Sequence, residues 1–219
     1  MDINTVFEGV YKIDKRLATK SIAPGYRVYD EELIKLKNNE YRLWNPYRSK
    51  LAAAIINGLS ELNIKNCSQV LYLGASTGTT VSHVSDIVGN EGNVFAVEIS
   101  KRSMRDLLAL CEKRENILPI FEDAMNTEAY SSEIGEVDVI YEDVAAPTQD
   151  KILIKNSELL KEGGSAYVAI KSQSIDVSKD PKIIFEEFIK NVSHKFKVVQ
   201  RVKIEPFDKL HLFLHLKKL

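Results

Sequence analysis

The chain has 219 residues, 44% of them hydrophobic and 28% charged, with ten glycines and six prolines. That length suits one domain of ordinary size, or one with a small appendage, and the composition excludes a disordered or fibrous chain. No apolar run approaches the roughly 18 residues of a membrane span, and the opening Met1-Asp2-Ile3-Asn4-Thr5 lacks the segments of a secretion signal. Cys67 and Cys111 follow no metal or disulfide spacing, as expected of reduced thiols in a soluble intracellular protein. The net charge of -1 conceals a segregation: +3 over residues 1–50, -10 over 51–150 and +6 over 151–219. An acidic centre between basic ends suits a site that reads hydroxyls or a cationic ligand, with a polyanion on the flanks. Three ordinary solvated faces would give the same blocks.

In chain order, Thr5–Asp14 and Ser21–Tyr29 are β-branched and aromatic stretches broken by Pro24-Gly25, which predicts a small β-rich unit over residues 1–44. Asn45-Pro46 supplies an N-cap followed by proline, and Leu51, Ile55, Leu59 and Leu62 recur at helical spacing. A helix from about Pro46 to Leu62 follows. Strands are then predicted over Val70–Leu73, Val94–Val97, Ile117–Phe121, Val137–Tyr141 and Ser165–Ile170. Helices alternate with them over Thr79–Val88, Lys101–Arg114, Gln149–Leu160 and Pro181–Asn191. Apolar runs alternating with helices specify an α/β doubly wound, mostly parallel sheet covered on both faces. Lys195–Ile204 and Leu210–Leu216 have no helix between them and close that sheet as an antiparallel hairpin, so residues 45–219 form one Rossmann-like domain. Trp44 reads as a packing anchor, and His83 and His215 as satisfied core histidines.

Leu73-Gly74-Ala75-Ser76-Thr77-Gly78-Thr79-Thr80 joins a buried strand to a helix. A glycine turn there lets a ligand approach the backbone beside exposed helical N–H groups. A phosphate loop needs lysine where Thr79 stands, and the dinucleotide fingerprint needs glycine where Ser76 and Thr79 stand. What remains, Gly-x-x-x-Gly, accepts a ligand without a pyrophosphate, and the helix N-terminus attracts an amino-acid carboxylate. Glu98 ends the second parallel strand, where a carboxylate accepts from ribose hydroxyls. Asp123-Ala124 ends the third, where carboxylate and backbone N–H can read adenine. That series points to S-adenosylmethionine as the ligand.

Five segments in order resemble the fibrillarin family. They are Tyr41-Arg42-Leu43-Trp44-Asn45-Pro46-Tyr47-Arg48-Ser49-Lys50-Leu51-Ala52-Ala53, the run from Gly74 to Asp86, Tyr141-Glu142-Asp143-Val144-Ala145-Ala146-Pro147-Thr148-Gln149, Ile170-Lys171-Ser172-Gln173-Ser174-Ile175-Asp176, and Pro206-Phe207-Asp208-Lys209-Leu210-His211. The resemblance implies an S-adenosylmethionine-dependent RNA 2′-O-methyltransferase of box C/D guide ribonucleoproteins, with no metal. Its implied partners are a Nop-domain scaffold protein, a kink-turn-binding protein, the guide RNA and a target rRNA or tRNA. It assigns a catalytic set to Lys50, Asp143, Lys171 and His211, and donor contacts to Gly74, Ala75, Thr79, Thr80, Glu98, Asp123, Ala124, Asp143 and Gln149. Ala146 stands where the family usually has glutamine, and Leu210 where it usually has aspartate. The absence of a Gly/Arg-rich stretch from the N-terminal part of this sequence points to the short archaeal form, for which a cytoplasmic location is expected.

A ribose 2′-hydroxyl titrates far above neutrality, so it needs its proton held or removed, whereas a sulfonium methyl is already activated. Positioning and electrostatics are then enough for in-line transfer. By the resemblance Lys171 polarises the hydroxyl, Asp143 orients it, and Lys50 and His211 support them. Arg42, Arg48 and the basic residues of 151–203 are candidates for phosphate contact. Two other functions compete: a stand-alone methyltransferase acting on a protein or small molecule, and a structural subunit of the particle. Loss of labelling on a 2′-deoxy target discriminates the first, and an inert Lys171→Ala the second.

Overall fold

The computed structural model describes residues 2–219. The chain begins with β1 (Ile3–Phe7), β2 (Val10–Ile13), β3 (Arg16–Lys20), β4 (Leu33–Leu36) and β5 (Asn39–Leu43), an antiparallel sheet ordered β1-β2-β3-β5-β4. Ser21–Tyr29, expected to be extended, is irregular. Its N–H groups are taken by carboxylates instead of a ladder: Gly25 donates to Glu40, and Val28 and Tyr29 to Glu31.

The expected helix from Pro46 is shorter and starts later. Asn45 accepts from the Tyr47 N–H in a turn, Ser49 accepts from Ala52 as the true N-cap, and α1 covers only Lys50–Ile56. Asn57 and Gly58, with φ at 96°, end it, so Leu59 and Leu62 are buried from a non-helical segment.

The second sheet holds β6 (Gln69–Leu73), β7 (Asn93–Glu98), β8 (Ile117–Phe121), β9 (Val137–Glu142), β10 (Leu160–Lys171), β11 (Phe196–Lys203) and β12 (His211–Lys218). Their order is β11-β12-β10-β9-β6-β7-β8, parallel from β10 to β8 and antiparallel at β12 and β11. Helices α2 (Thr79–Val88), α3 (Lys101–Cys111), α4 (Ser131–Ile134), α5 (Gln149–Asn156), α6 (Ser172–Ile175) and α7 (Pro181–Val192) complete the chain. Alternate strand residues feed two cores: Val70, Tyr72 and Tyr141 on one face, Leu71, Leu73 and Ile140 on the other. The chain leaves β6 towards β7 and β8, then returns to lay β9 and β10 on its other side. The strand order therefore reverses between β6 and β9, where such sheets open a ligand crevice.

The two sheets are joined by a buried polar cluster. The Arg42 side chain, 0% exposed, pairs with Glu31 at 2.6 Å and with Asp86 of α2 at 2.8 Å, and Arg114 reaches Asp86 at 2.6 Å. Arg42 is therefore an internal tie and not the phosphate contact that its place in the basic flank suggested. Burial, then the charges of Arg42 and Arg114, push the His83 imidazole well below its ordinary range. The neutral ring bonds Thr19 and Tyr29 at 2.7 and 2.6 Å and stacks on Trp44 at 4.7 Å. Trp44 thus packs against α2.

Candidate active site

Two concave lobes open at the carboxyl ends of the parallel strands. One, of about 370 Å³, is bordered by Glu98, Asp123, Ala124 and Ala146. The other, of about 290 Å³, is bordered by Arg48, Lys50, Tyr72, Thr79 and Thr80. Gly74, Ser76, Asp143 and Lys171 line both, so the lobes meet at the Asp143–Lys171 pair.

Each lobe is shaped by the turn leaving β6. Gly74 has φ at 84°, and a Cβ there would lie 2.7 Å from the Asp143 carbonyl oxygen. That glycine lets β6 and β9 end side by side, with Asp143 N–H donating to the Leu73 carbonyl at 2.9 Å. A Cβ on Gly78 would strike Leu110 of α3 at 2.3 Å. Both glycines therefore also serve packing, a role the ligand-approach argument did not contain. Gly78 caps α2 in the left-handed region with no side-chain cap, which leaves the first N–H groups of that helix directed to the smaller lobe.

Glu98 is 8% exposed and is held at both oxygens: Ser76 N–H donates to one and Ser100 N–H to the other, each at 2.7 Å. A carboxylate fixed in this way keeps further lone pairs for a vicinal diol. Asp123 accepts from Met125 N–H at 2.8 Å beside Ala124. Gln149 does not reach the cleft. Its side chain is wholly buried, donating to the Ala169 carbonyl at 2.9 Å and accepting from Lys171 N–H at 3.4 Å. Its place in the first turn of α5, above β10, commits it to the backbone of the strand that carries Lys171.

The four residues assigned to catalysis converge from separate elements. Asp143 accepts from Lys50 Nζ on Oδ2 at 3.1 Å and forms an ion pair with Lys171 Nζ, 3.0 Å from Oδ1. Lys171 also donates to the Asp143 carbonyl at 3.3 Å. Two ammonium groups flank one carboxylate, each about one-fifth exposed, and the second carboxylate, Asp208, approaches Lys50 alone, so the Lys171 end of the group is the more positive. Such a place stabilises an oxygen that gains negative charge. His211 stands opposite Lys171 in the β10–β12 ladder, which puts both side chains on one face of the sheet. Asp208, absent from the assigned set, lies between His211 (2.9 Å) and Lys50 (3.8 Å). Lys50 is distant in sequence and Asp208 itself stands on the irregular segment before β12, so no periodicity marks it.

Glu142, next to Asp143, faces the opposite side of the sheet with 0% exposure and no hydrogen-bond partner on either oxygen. Burial, then Asp150 and Asp143, raise its pKa well above the ordinary 4.5. A raised folded-state value means that stability is lost as pH climbs from 4.5 towards that value. Glu142→Gln should therefore melt higher than the parent at pH 8, and a pH series of melts should show the gap closing below about 4.5.

A methyltransferase that uses S-adenosylmethionine is the class this reversal-point cleft and its strand-end acids define. The fibrillarin family's sequence profile matches residues 1–218, and the chain belongs to that family. It is 53% identical over 217 residues to a fibrillarin-like rRNA/tRNA 2′-O-methyltransferase of Methanocaldococcus jannaschii, covering 96% of this chain and 94% of that one. Aeropyrum pernix fibrillarin, solved with natively bound S-adenosyl-L-methionine, superposes with a TM-score of 0.92 at 40% identity over 99% of this chain and 98% of that one. Fibrillarin in a solved complex with Nop5p gives 0.90 at 38% identity over 97% and 98%.

Proposed function

We propose that this protein transfers methyl from S-adenosylmethionine to the ribose 2′-hydroxyl of a guide-selected nucleotide in rRNA or tRNA. In this reading it works within a box C/D particle containing a Nop-domain scaffold, a kink-turn-binding protein and the guide RNA. The observation that carries the reading is the Lys50–Asp143–Lys171 cluster at the junction of the two lobes. Glu98 would hold the donor ribose, Asp123 with Ala124 the adenine, and Thr79 and Thr80 at the α2 N-terminus the amino-acid carboxylate. The bound sulfonium supplies an activated methyl group. The hydroxyl oxygen gains that methyl as the carbon–sulfur bond breaks, its proton departs, and a neutral thioether is left. Lys171 donates to the hydroxyl oxygen and stabilises the charge it gains, Asp143 aims Lys171, and Lys50 holds the other Asp143 oxygen.

The test is transfer of labelled methyl in a reconstituted particle to two targets, one ordinary and one 2′-deoxy at the guided nucleotide. Label only on the first supports the reading. Label on both moves the acceptor elsewhere, and no label from an assembled, donor-loaded particle favours a structural subunit. Donor binding has its own test in Glu98→Ala, which removes a charged acceptor. Calorimetry should show affinity falling by about tenfold to hundredfold, the value of one or two such bonds.

A further inference from the structure

Resting on that methyl-transfer reading, we propose that Asp208 is a positioning residue of the site, which together with the Lys209 carbonyl keeps hydrogen on Nδ1 of His211 and backs the ring with a negative charge. His211 Nδ1 is hydrogen-bonded to the Lys209 carbonyl oxygen at 2.8 Å, and Asp208 Oδ1 lies beside the same nitrogen at 2.9 Å. A bare nitrogen opposite two acceptors would meet only lone pairs, so Nδ1 bears the hydrogen. Nε2 then carries the free lone pair in the neutral ring. Because His211 is the cross-strand neighbour of Lys171, that lone pair belongs to the same face of the sheet as the Lys171 ammonium.

The loop bearing Asp208 is held from several sides. Asn57 Nδ2 donates to the Lys203 and Glu205 carbonyls at 2.7 Å each. Ser172 Oγ donates to the Leu210 carbonyl at 2.7 Å, and Phe207 packs its ring on Tyr47 with centroids 5.0 Å apart. A carboxylate on a loop so fixed can hold an imidazole at a set angle. Asp208 Oδ2 meanwhile lies 3.8 Å from Lys50 Nζ, so Lys171, Asp143, Lys50, Asp208 and His211 form one line in which each acid separates two bases. In the reaction the 2′-O–H bond breaks as the O–CH3 bond forms. The proton passes to His211 Nε2, and Asp208 balances the resulting imidazolium until water removes the proton. An aspartate that helps hold the tautomer of a histidine base and backs it with charge is the logic of the hydrolase triads, placed here in a methyl-transfer site.

The test compares Asp208→Asn, Asp208→Glu, His211→Ala and the Asp208→Asn/His211→Ala double variant in the reconstituted particle. Single-turnover methyl transfer and KM for target RNA are read together with donor affinity. Asn should slow transfer about tenfold to hundredfold while KM and donor affinity stay within about twofold; Glu should restore most of the rate. The double variant should be no slower than His211→Ala alone. An Asn variant as fast as the parent, no recovery with Glu, or losses that multiply in the double variant would each overturn the proposal. A second measurement does not depend on activity: nitrogen NMR of the labelled chain should show His211 as the Nδ1–H tautomer, and finding hydrogen on Nε2 overturns the assignment. Failure of the parent particle to methylate the ribose would instead sink the functional reading.

Discussion

Lys171→Ala should lower methyl transfer by about 10²–10⁴-fold while leaving donor affinity within a few-fold of the parent. The Lys171 ammonium is the cation that ends the parallel strand at the junction of the lobes, and the residue that replaces it has nothing to donate to the 2′-oxygen. Removing it also leaves Lys50 as the charge partner of the Asp143 carboxylate, with Oδ1 unpaired. That takes away the positive charge at this end of the group, which costs an oxygen developing negative charge its stabilisation. Lys171→Arg tests the cation's role. An arginine keeps the charge but never gives up its proton, so partial activity is the expected result, and none would overturn Lys171 as the group that stabilises the oxygen. Losses in Lys171→Ala and Asp143→Asn should not multiply, because each acts through the other. Single-turnover rates in the assembled particle, with the 2′-deoxy target as blank, measure all three.

Much of this was legible in the sequence where one local signal sufficed. Ile117–Phe121 and Thr79–Val88 occur at the expected bounds, the first as an apolar run ended by Glu122-Asp123 at the sheet edge, the second as a helix between Gly78 and Gly89. Glu98 and Asp123 could be placed for the same reason, since an acid just after such a run falls at the open edge of a parallel sheet. The helix expected over 46–62 failed because the spacing of Leu51, Ile55, Leu59 and Leu62 satisfies a helix that Asn57-Gly58 interrupts. Asn57 is instead used to tie down Lys203 and Glu205, a contact no local window contains. Gln149 looked like a donor contact from its motif, yet its buried amide is spent on the β10 backbone. The approach of Asp208 to Lys50 and the Arg42–Asp86 tie depend on pairs far apart along the chain, so only the fold could display them.

Arg42→Ala should be the most destabilising single change among the charged residues described. It leaves Glu31 without its ion-pair partner and Asp86 with only Arg114, all in positions where the side chains are 1% exposed or less. Breaking a buried pair at one end costs about 3–5 kcal/mol, since the remaining charge stays desolvated. For a chain of this length that is a fall in melting temperature of roughly 6–20 °C. Glu31 now titrates below its ordinary range despite burial, which opposes that effect, because Arg42 and the Val28 and Tyr29 N–H groups favour its charged form. Arg42→Lys should rescue little, as one ammonium cannot reach Glu31, Asp86, the Ser82 carbonyl and the Ser82 hydroxyl together. The effect reaches the site through α2, which holds Ser82 and Asp86 on one side and presents Thr79 and Thr80 to the smaller lobe at its start. At a temperature where the variant is still folded, its donor affinity should therefore fall, while Arg16→Ala, which breaks the exposed pair with Glu32, leaves both melting and donor binding nearly unchanged. Equal melting of Arg42→Ala and Arg16→Ala would show that the buried cluster is not what joins the two sheets.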